Sequence, residues 1–332
     1  MLVTGTTSGL GLALSTALAR AGARVLMTAR DADRGTAAVE RVRAALPDPA
    51  PVERGAGPDT GGSAAAGRNS ANAGRAGGSA ELVLLDLADL AAVRAAAAEI
   101  RDRTGDRVDV LVNNAGIAMG PRAETEDGFE LQIGTNHLGP AALTWLLMPA
   151  LRAAGDPDRP SRVVTTSSLG HAVGRLDLTD LHWRRRRYRP NAAYGASKLA
   201  NLLFTAELDR RLRLAGDPVV SVAAHPGMTE SSLLATSLRR GGNSWWSRLL
   251  ALPDRFLVQP VADGIAPQLA AVSDPVHGGD YLGPSGLGEL RGPAGPARRS
   301  AAAQDPVLAG RLWQVTAAAT GVTPDPGRRV EP

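Results

Sequence analysis

The chain opens on Met1-Leu2-Val3-Thr4-Gly5-Thr6-Thr7-Ser8-Gly9-Leu10-Gly11, and the reading of this stretch decides the fold. A short apolar run leads into a glycine-rich turn, and Leu12, Leu14 and Leu18 then recur at helical spacing through Ala21. Strand, glycine turn and helix in direct succession is the context in which such a motif carries meaning. Gly5 permits the tight turn. Gly9 and Gly11 let the backbone approach a pyrophosphate and let the helix pack on the strand. The first helical turn offers free N–H groups and the positive end of the dipole to phosphates. The spacing Gly-x-x-x-Gly-x-Gly is looser than the usual dinucleotide fingerprint, so a plain turn stands as the alternative. The first strand looks clipped, as a misassigned start site would leave it.

Further strand and helix signals alternate along the chain. Arg24 to Arg30 reads as strand two, followed by a helix from Asp33 to Leu46. An acidic residue at the end of strand two would accept the ribose hydroxyls of NAD. Here Ala29 and Arg30 stand at that end, and a guanidinium suits a 2′-phosphate, which argues for NADP. Two plainer readings compete: Arg30 is solvated, and Asp31 caps the next helix. Residues 47–80 are rich in Gly, Ala, Pro, Ser and Asn and nearly free of large apolar side chains. Such a segment cannot offset its ordering entropy, and it is expected to be a disordered insertion.

Glu81 to Leu85 reads as strand three, ending at Asp86-Leu87, where a carboxylate can meet an adenine amino group or Asp86 or Asp89 can cap the helix to Thr104. Strand four, Val108 to Val112, runs into Asn113-Asn114-Ala115-Gly116, small residues that suit close approach to a cofactor; Asn113 reads equally as a turn residue. A long helix from Glu124 to Arg152 is expected, with Asn136 in its middle, where Asn is unfavourable without a reason. His137 beside it reads as a core histidine. Strand five, Arg162 to Thr166, ends at Ser167-Ser168, where a hydroxyl can donate to a substrate carbonyl. No Gly-x-Ser-x-Gly elbow surrounds it, so a hydrolase nucleophile is not expected. Arg184 to Arg187 reads as a solvated loop, since no wider basic stripe accompanies it.

Strand six, Val219 to Ala224, ends at His225-Pro226-Gly227. Thr229 to Ser237 reads as a mobile lid, and Trp245, Trp246, Leu249 and Leu250 as an amphipathic patch lining or covering a pocket, with a membrane-surface role as runner-up. A helix from Val261 to Val272, a strand near Tyr281 and a helix from Asp305 to Thr320 complete the pattern. The tail from Thr323 is expected to fray.

Ala193-Tyr194-Gly195-Ala196-Ser197-Lys198-Leu199-Ala200-Asn201 supplies the chemistry. Leu199, Leu202, Leu203 and Ala206 form an apolar helical stripe, and Tyr194 and Lys198, four apart, share the face beside it. An ammonium near a phenol favours the phenolate and is expected to lower the tyrosine pKa, making the ring a proton carrier. Lys198 is the only lysine among 37 lysines and arginines. Where coding bias replaces lysine by arginine throughout, the lysine that remains marks a place that needs a compact ammonium.

Composition sets the bounds. The chain has 332 residues, no cysteine and a formal charge of +4, so disulfides, thiolate chemistry and cysteine-ligated metals are excluded, and no metal is expected. No run of about 20 apolar residues and no signal peptide is visible, so a cytoplasmic protein with neither membrane nor nucleic-acid partner is expected. Homo-oligomerisation is the base-rate expectation.

Taken together, the glycine turn, Asn113 to Gly116, Asn136, Ser168 and the Tyr194/Lys198 pair resemble the short-chain dehydrogenase/reductase family. The resemblance covers all but residues 47–80 and the tail. The long interval from Ser168 to Tyr194, the run Tyr194 to Phe204, and Arg311-Leu312-Trp313 resemble its retinol dehydrogenase-like branch, which includes the WW-domain oxidoreductases. The resemblance implies an α/β fold with a doubly wound, mostly parallel sheet of Rossmann type, in a single domain over residues 1–322 with a flexible tail at 323–332. It implies hydride transfer to or from a nicotinamide, interconverting an alcohol and a carbonyl on a small apolar substrate. Tyr194 would be the general acid/base, Lys198 would lower its pKa and hold the nicotinamide ribose, Ser168 would orient the substrate oxygen, and Asn136 would support a water. Gly5, Thr7, Ser8, Gly9, Leu10 and Gly11 would face the cofactor's pyrophosphate side, Arg30 the 2′-phosphate, Asp86 with Leu87 the adenine, and Asn113, Ala115 and Gly116 the ribose region. Pro226, Gly227 and Ser231 would touch the carboxamide region. NADP-dependent members often carry a basic residue in the glycine turn, where this chain has Ser8. A catalytically silent NADP(H)-binding regulator is the alternative.

Overall fold

Val110-Leu111-Val112 and Val163-Val164 are apolar without a break, the pattern of strands covered on both faces. The computed structural model describes residues 1–47, 77–118, 120–229 and 258–326 and places them so. Strands β1 (Leu2–Val3), β2 (Arg24–Ala29), β3 (Ser79–Leu84), β4 (Val110–Asn113), β5 (Ser161–Thr166), β6 (Val219–Ala224) and β7 (Tyr281–Pro284) run parallel. A further strand, β8 (Ala294–Pro296), not foreseen from the sequence, pairs antiparallel with β7. The order is β3-β2-β1-β4-β5-β6-β7-β8. The chain winds outward in one direction from β1 and then in the other from β4. A crevice therefore opens beyond the carboxyl ends of those two neighbours.

The helices are α1 (Gly9–Arg20), α2 (Ala32–Ala44), α3 (Leu90–Arg103), α4 (Leu131–Ile133), α5 (Gly139–Ala154), α6 (Pro190–Ala215), α7 (Val261–Gly264), α8 (Ala266–Ser273) and α9 (Pro306–Thr320). Strand residues alternate between two cores, as the period of two requires. Leu2, Leu26, Leu111 and Val163 pack with α3, α5 and Trp313, while Val3, Met27, Val112 and Val164 pack with α1, α2 and α8. Leu199, Leu202 and Leu203 of the expected stripe are buried with Leu312 of α9 in a third cluster. No helix among the described residues is long and apolar enough to cross a membrane.

Several expectations need correcting. The helix expected over 124–152 begins only at Leu131, because Glu124 pairs with Glu130 in a β-bridge. It then passes through a π-turn, Gly134–Leu138, before continuing as α5. Ser79 and Ala80, assigned to the insertion, belong to β3, which needs them to match Arg24 and Val25 in register; residues 48–76 lie outside the described residues. Thr323 to Pro326 is not a loose tail: Val322 is buried, and Asp325 accepts a hydrogen bond from Arg152 Nη1 at 2.7 Å. The helix expected over 261–272 is two pieces, α7 and α8. Nor is the arginine loop simply solvated. Asp180 accepts the backbone N–H groups of Arg184, Arg185 and Arg186, and the Arg186 guanidinium stacks 3.8 Å above the Trp183 ring. The expected lid over 229–237 beyond Thr229, and the patch at Trp245, Trp246, Leu249 and Leu250, lie outside the described residues.

Candidate active site

A cleft of about 490 Å³ occupies the crevice. Its floor is the β1–α1 turn. Gly5 has φ +70°, and a Cβ there would lie 2.7 Å from Ala115 Cα, so only glycine lets the turn close on the β4 end. A Cβ on Gly11 would meet the Gly5 carbonyl and lie 2.6 Å from Asn114 Nδ2. These two glycines therefore serve the packing of α1 and β4 on the turn. Asn114 fastens the junction: its Nδ2 donates to the Thr4 carbonyl at 2.9 Å, and its Oδ1 accepts from Gln268 Nε2 at 3.1 Å.

The start of α1 is left open on the cleft. Asp31, Asp89 and Asp305 cap α2, α3 and α9 with side-chain hydrogen bonds, but Ser8 makes none to α1. The first N–H groups of α1 thus keep their capacity, at the positive end of a helix dipole and on the cleft. Thr7, Ser8, Gly9 and Leu10 line it beside Gly5 and Gly11. Uncapped donors in a glycine-walled hollow fit the pyrophosphate of a dinucleotide.

At the end of β2 both Arg30 and Arg34 line the cleft, and neither side chain has a hydrogen-bond or ion-pair partner among the described residues. Asp31 is the N-cap, accepting Arg34 N–H at 2.8 Å. At the end of β3, Asp86 and Leu87 also line the cleft, and the Asp86 carboxylate accepts Ala88 N–H at 2.8 Å. Capping of α3 falls to Asp89. Ala115 and Gly116 line the wall from β4, but Asn113 does not. Its amide is buried and donates to Thr144 Oγ1 on α5 at 3.0 Å, turned away from the cleft by strand alternation. Asn114 takes its place.

The π-turn puts Asn136 behind Gly116 rather than on the cleft surface. Asn136 accepts Ile117 N–H at 2.8 Å and donates to Ile117 O and Ser197 Oγ, each at 2.9 Å. Its amide ties the β4 loop to α6. A π-turn inside a helix is a frequent mark of a functional site, and it supplies the reason that a mid-helix Asn needs. His137 is buried against Thr316 of α9, as a core histidine.

Tyr194 and Lys198 both face the cleft with Ser168. Lys198 is buried; its Nζ donates to the Thr166 carbonyl at 3.2 Å and lies 5.7 Å from the centre of the Tyr194 ring. Burial pushes the Lys198 ammonium down to about 8. Burial also raises the Tyr194 phenol above its usual value, against a hydrogen bond from Ser168 that favours the phenolate. The direction is therefore opposite to the expected lowering, because desolvation of the buried ring outweighs the Ser168 hydroxyl. Ser168 also caps the short 3₁₀ turn Leu169–Val173 by accepting Gly170 N–H at 3.2 Å. Pro226 and Gly227 line the far wall with Met228 and Thr229; Ser231 lies outside the described residues. Arg34, Asn114 and Gln268 were missed from sequence. Only the second arginine four residues beyond Arg30, one helical turn on, offered a signal.

Comparison with known proteins agrees with this geometry. The family profile of the short chain dehydrogenases matches residues 1–52 and 62–241. Polyprenol dehydrogenase of Mus musculus is 38% identical over 315 residues, spanning 94% of this chain and 81% of its own. Retinol dehydrogenase 13 of Homo sapiens is 34% identical over 331 residues, spanning 97% and 84%. Among solved structures, an uncharacterized protein from Mycobacterium Paratuberculosis superposes with a TM-score of 0.69 at 38% identity, covering 97% of this chain and 92% of that one.

Proposed function

The chain belongs to the short-chain dehydrogenase/reductase family, in its retinol dehydrogenase-like branch, as an oxidoreductase of CH–OH groups on an NAD(P)-binding fold, and from that premise we propose that it prefers NADP(H) and acts on an apolar alcohol or its carbonyl counterpart. Residues 1–322 act as one dinucleotide-binding domain. The observation that carries the cofactor reading is the pair of unpartnered guanidiniums, Arg30 and Arg34, at the end of β2. Two such forks suit a 2′-phosphate and gain little from a bare ribose. The substrate reading rests on the uncharged lining residues Ile117, Ala118, Leu131, Leu169, Val173 and Met228. Apart from Lys198, the charged lining residues gather at the ends of β2 and β3. Relatives named for retinol and polyprenol, both apolar alcohols, support the same class.

A nicotinamide held in the cleft would supply or accept the hydride. Ser168 holds the substrate oxygen by its hydroxyl, and Tyr194 passes the proton at that oxygen. A phenol raised by burial stays protonated at neutral pH and is ready to donate to a carbonyl. Lys198 holds the ribose side of the site, and Asn136 fixes the β4 loop to the helix that carries Lys198.

Titration of the purified protein with NADPH and NADH, followed by a panel of aliphatic and isoprenoid aldehydes, tests the proposal. At least tenfold tighter NADPH binding and NADPH-dependent reduction of apolar aldehydes are expected. Equal or reversed cofactor affinities overturn the first part, and turnover confined to polar or charged carbonyls overturns the second. Tyr194→Phe should cost about 10² or more in kcat, the usual worth of a positioned acid.

A further inference from the structure

Behind the Pro226–Thr229 wall lies a polar network that the chemistry above does not use. His225 is fully buried at the end of β6. Its Nδ1 accepts Gly227 N–H at 3.2 Å, so Nδ1 carries no proton. Its Nε2–H therefore donates to Glu289 Oε2 at 3.1 Å, which fixes a neutral ring in one tautomer. Burial agrees, holding His225 down to about 4.

Glu289 sits in the β7–β8 loop with φ +58°, a left-handed conformation uncommon for a residue with a Cβ. Its other oxygen accepts Arg298 N–H at 2.9 Å. The same loop grips the wall directly: Met228 N–H donates to the Leu290 carbonyl at 2.8 Å. Gly227, at φ +65°, lies so near that carbonyl that no Cβ would fit. Gln259 closes the bracket, donating to Pro226 O at 2.8 Å and accepting Gly292 N–H at 3.2 Å. Beyond β8, Ser300 N–H donates to His171 Nε2 at 3.3 Å, and His171 Nδ1 bonds the Ser168 carbonyl at 2.8 Å.

We infer that Glu289 is a positioning residue: through His225 it sets the turn Pro226–Thr229 and thereby the nicotinamide half of the cofactor site, while leaving the adenosine half untouched. Strain kept at a non-glycine residue whose carboxylate reaches the wall of a site is the kind of outlier that points to function. The two halves lie at opposite ends of the cleft, Arg30 and Arg34 at one and Gly227 at the other, so they can be probed apart.

The inference rests on the dinucleotide reading, and its test separates the two. Binding of NADPH and of 2′,5′-ADP, which lacks the nicotinamide half, is measured by calorimetry on the parent, Glu289→Gly and Glu289→Gln. The glycine variant removes the carboxylate but accepts the left-handed backbone without strain. The glutamine variant keeps one of the two acceptors. Glu289→Gly should bind NADPH about tenfold more weakly and 2′,5′-ADP as the parent does, with Glu289→Gln between. ¹⁵N spectra of the cofactor-free protein should show His225 in the Nε2–H form in the parent and a mixture of tautomers in Glu289→Gly. A Glu289→Gly protein that binds NADPH like the parent, or that loses NADPH and 2′,5′-ADP equally, overturns the inference while leaving the dinucleotide reading intact. A parent that binds neither NADPH nor NADH overturns both.

Discussion

The Lys198 ammonium lies 5.7 Å from the centre of the Tyr194 ring and gives a hydrogen bond to the Thr166 carbonyl at 3.2 Å. The two side chains share one helical face but are held by different neighbours. Lys198 is anchored to the end of β5, and Tyr194 faces the cleft with Ser168. Burial drives each toward its neutral form, the phenol upward and the ammonium downward. A buried ammonium with a single carbonyl partner costs the fold stability, and in a binding cleft that is the usual exchange of stability for function.

Lys198→Met should therefore stabilise the cofactor-free protein. The folded pKa is about 8 against 10.5 for an ordinary lysine, a gap worth about 3 kcal/mol. Between those values the unfolded chain binds more protons, so stability rises with pH across that window, and the full cost is present below about 8. Urea unfolding should show Lys198→Met more stable than the parent by ~1–3 kcal/mol at pH 7, with the gain shrinking toward pH 10.5. Equal stability at pH 7 would mean that the ammonium is better solvated than the fold implies.

His137 gives the opposite end of the pH scale its sensitivity. It is buried in the π-turn against Thr316, and burial lowers it from 6.5 to about 4. Below 6.5 the unfolded state gains a proton that the folded state refuses. Stability present above 6.5 is thus lost as pH falls toward about 4, by about 3 kcal/mol in all. His137→Gln keeps a partner for Thr316 and cannot titrate. Its stability measured from pH 7 to pH 4 should fall less steeply than the parent's, by about one proton. Parallel slopes would contradict the assignment.

Gly11 tests what the glycine turn is for. A Cβ there meets the Gly5 carbonyl and Asn114 Nδ2, both parts of the protein itself. Gly11→Ala should lower the melting temperature in the absence of any cofactor, by an overpacking cost of about 1–3 kcal/mol. A variant of unchanged stability that merely bound the dinucleotide more weakly would return Gly11 to the role of a phosphate contact.

These cases show what could be read from sequence. The succession of strands and helices, and the identity of Tyr194, Lys198 and Ser168 as cleft residues, were legible because apolar runs, turn residues and strand-end positions act locally. Asn113 was misplaced because a strand's alternation fixes which of two adjacent asparagines faces the crevice, and that phase depends on where the pairing of β4 begins. The role of Asn136 was opaque because a π-turn leaves no periodic signature. The direction of the Tyr194 shift was missed because it follows from burial, a tertiary quantity, rather than from the four-residue spacing. Glu289 and Gln268 lie far along the chain from the motifs they support, and only the fold brings them in.

Arg30 and Arg34 carry the sharpest prediction about cofactor choice. Arg30 and Arg34 both line the cleft, both are exposed, and the neighbouring Asp31 carboxylate is engaged with Arg34 N–H at 2.8 Å. A hydrogen bond to a charged group contributes about 1.5–3 kcal/mol. Removing one arginine should thus weaken NADPH by about 10- to 100-fold and leave NADH, which has only a ribose hydroxyl there, nearly unchanged. Arg30→Ala and Arg34→Ala should act in the same direction, and together they should erase the preference. Because the contacts are charge-assisted and exposed, raising the salt concentration should narrow the NADPH-to-NADH ratio of the parent but not of the double variant. If NADPH and NADH affinities fell together in both single variants, the arginines would be holding the β2–α2 turn rather than reading the 2′ position, and the reading of this chain as NADP-preferring would lose its support.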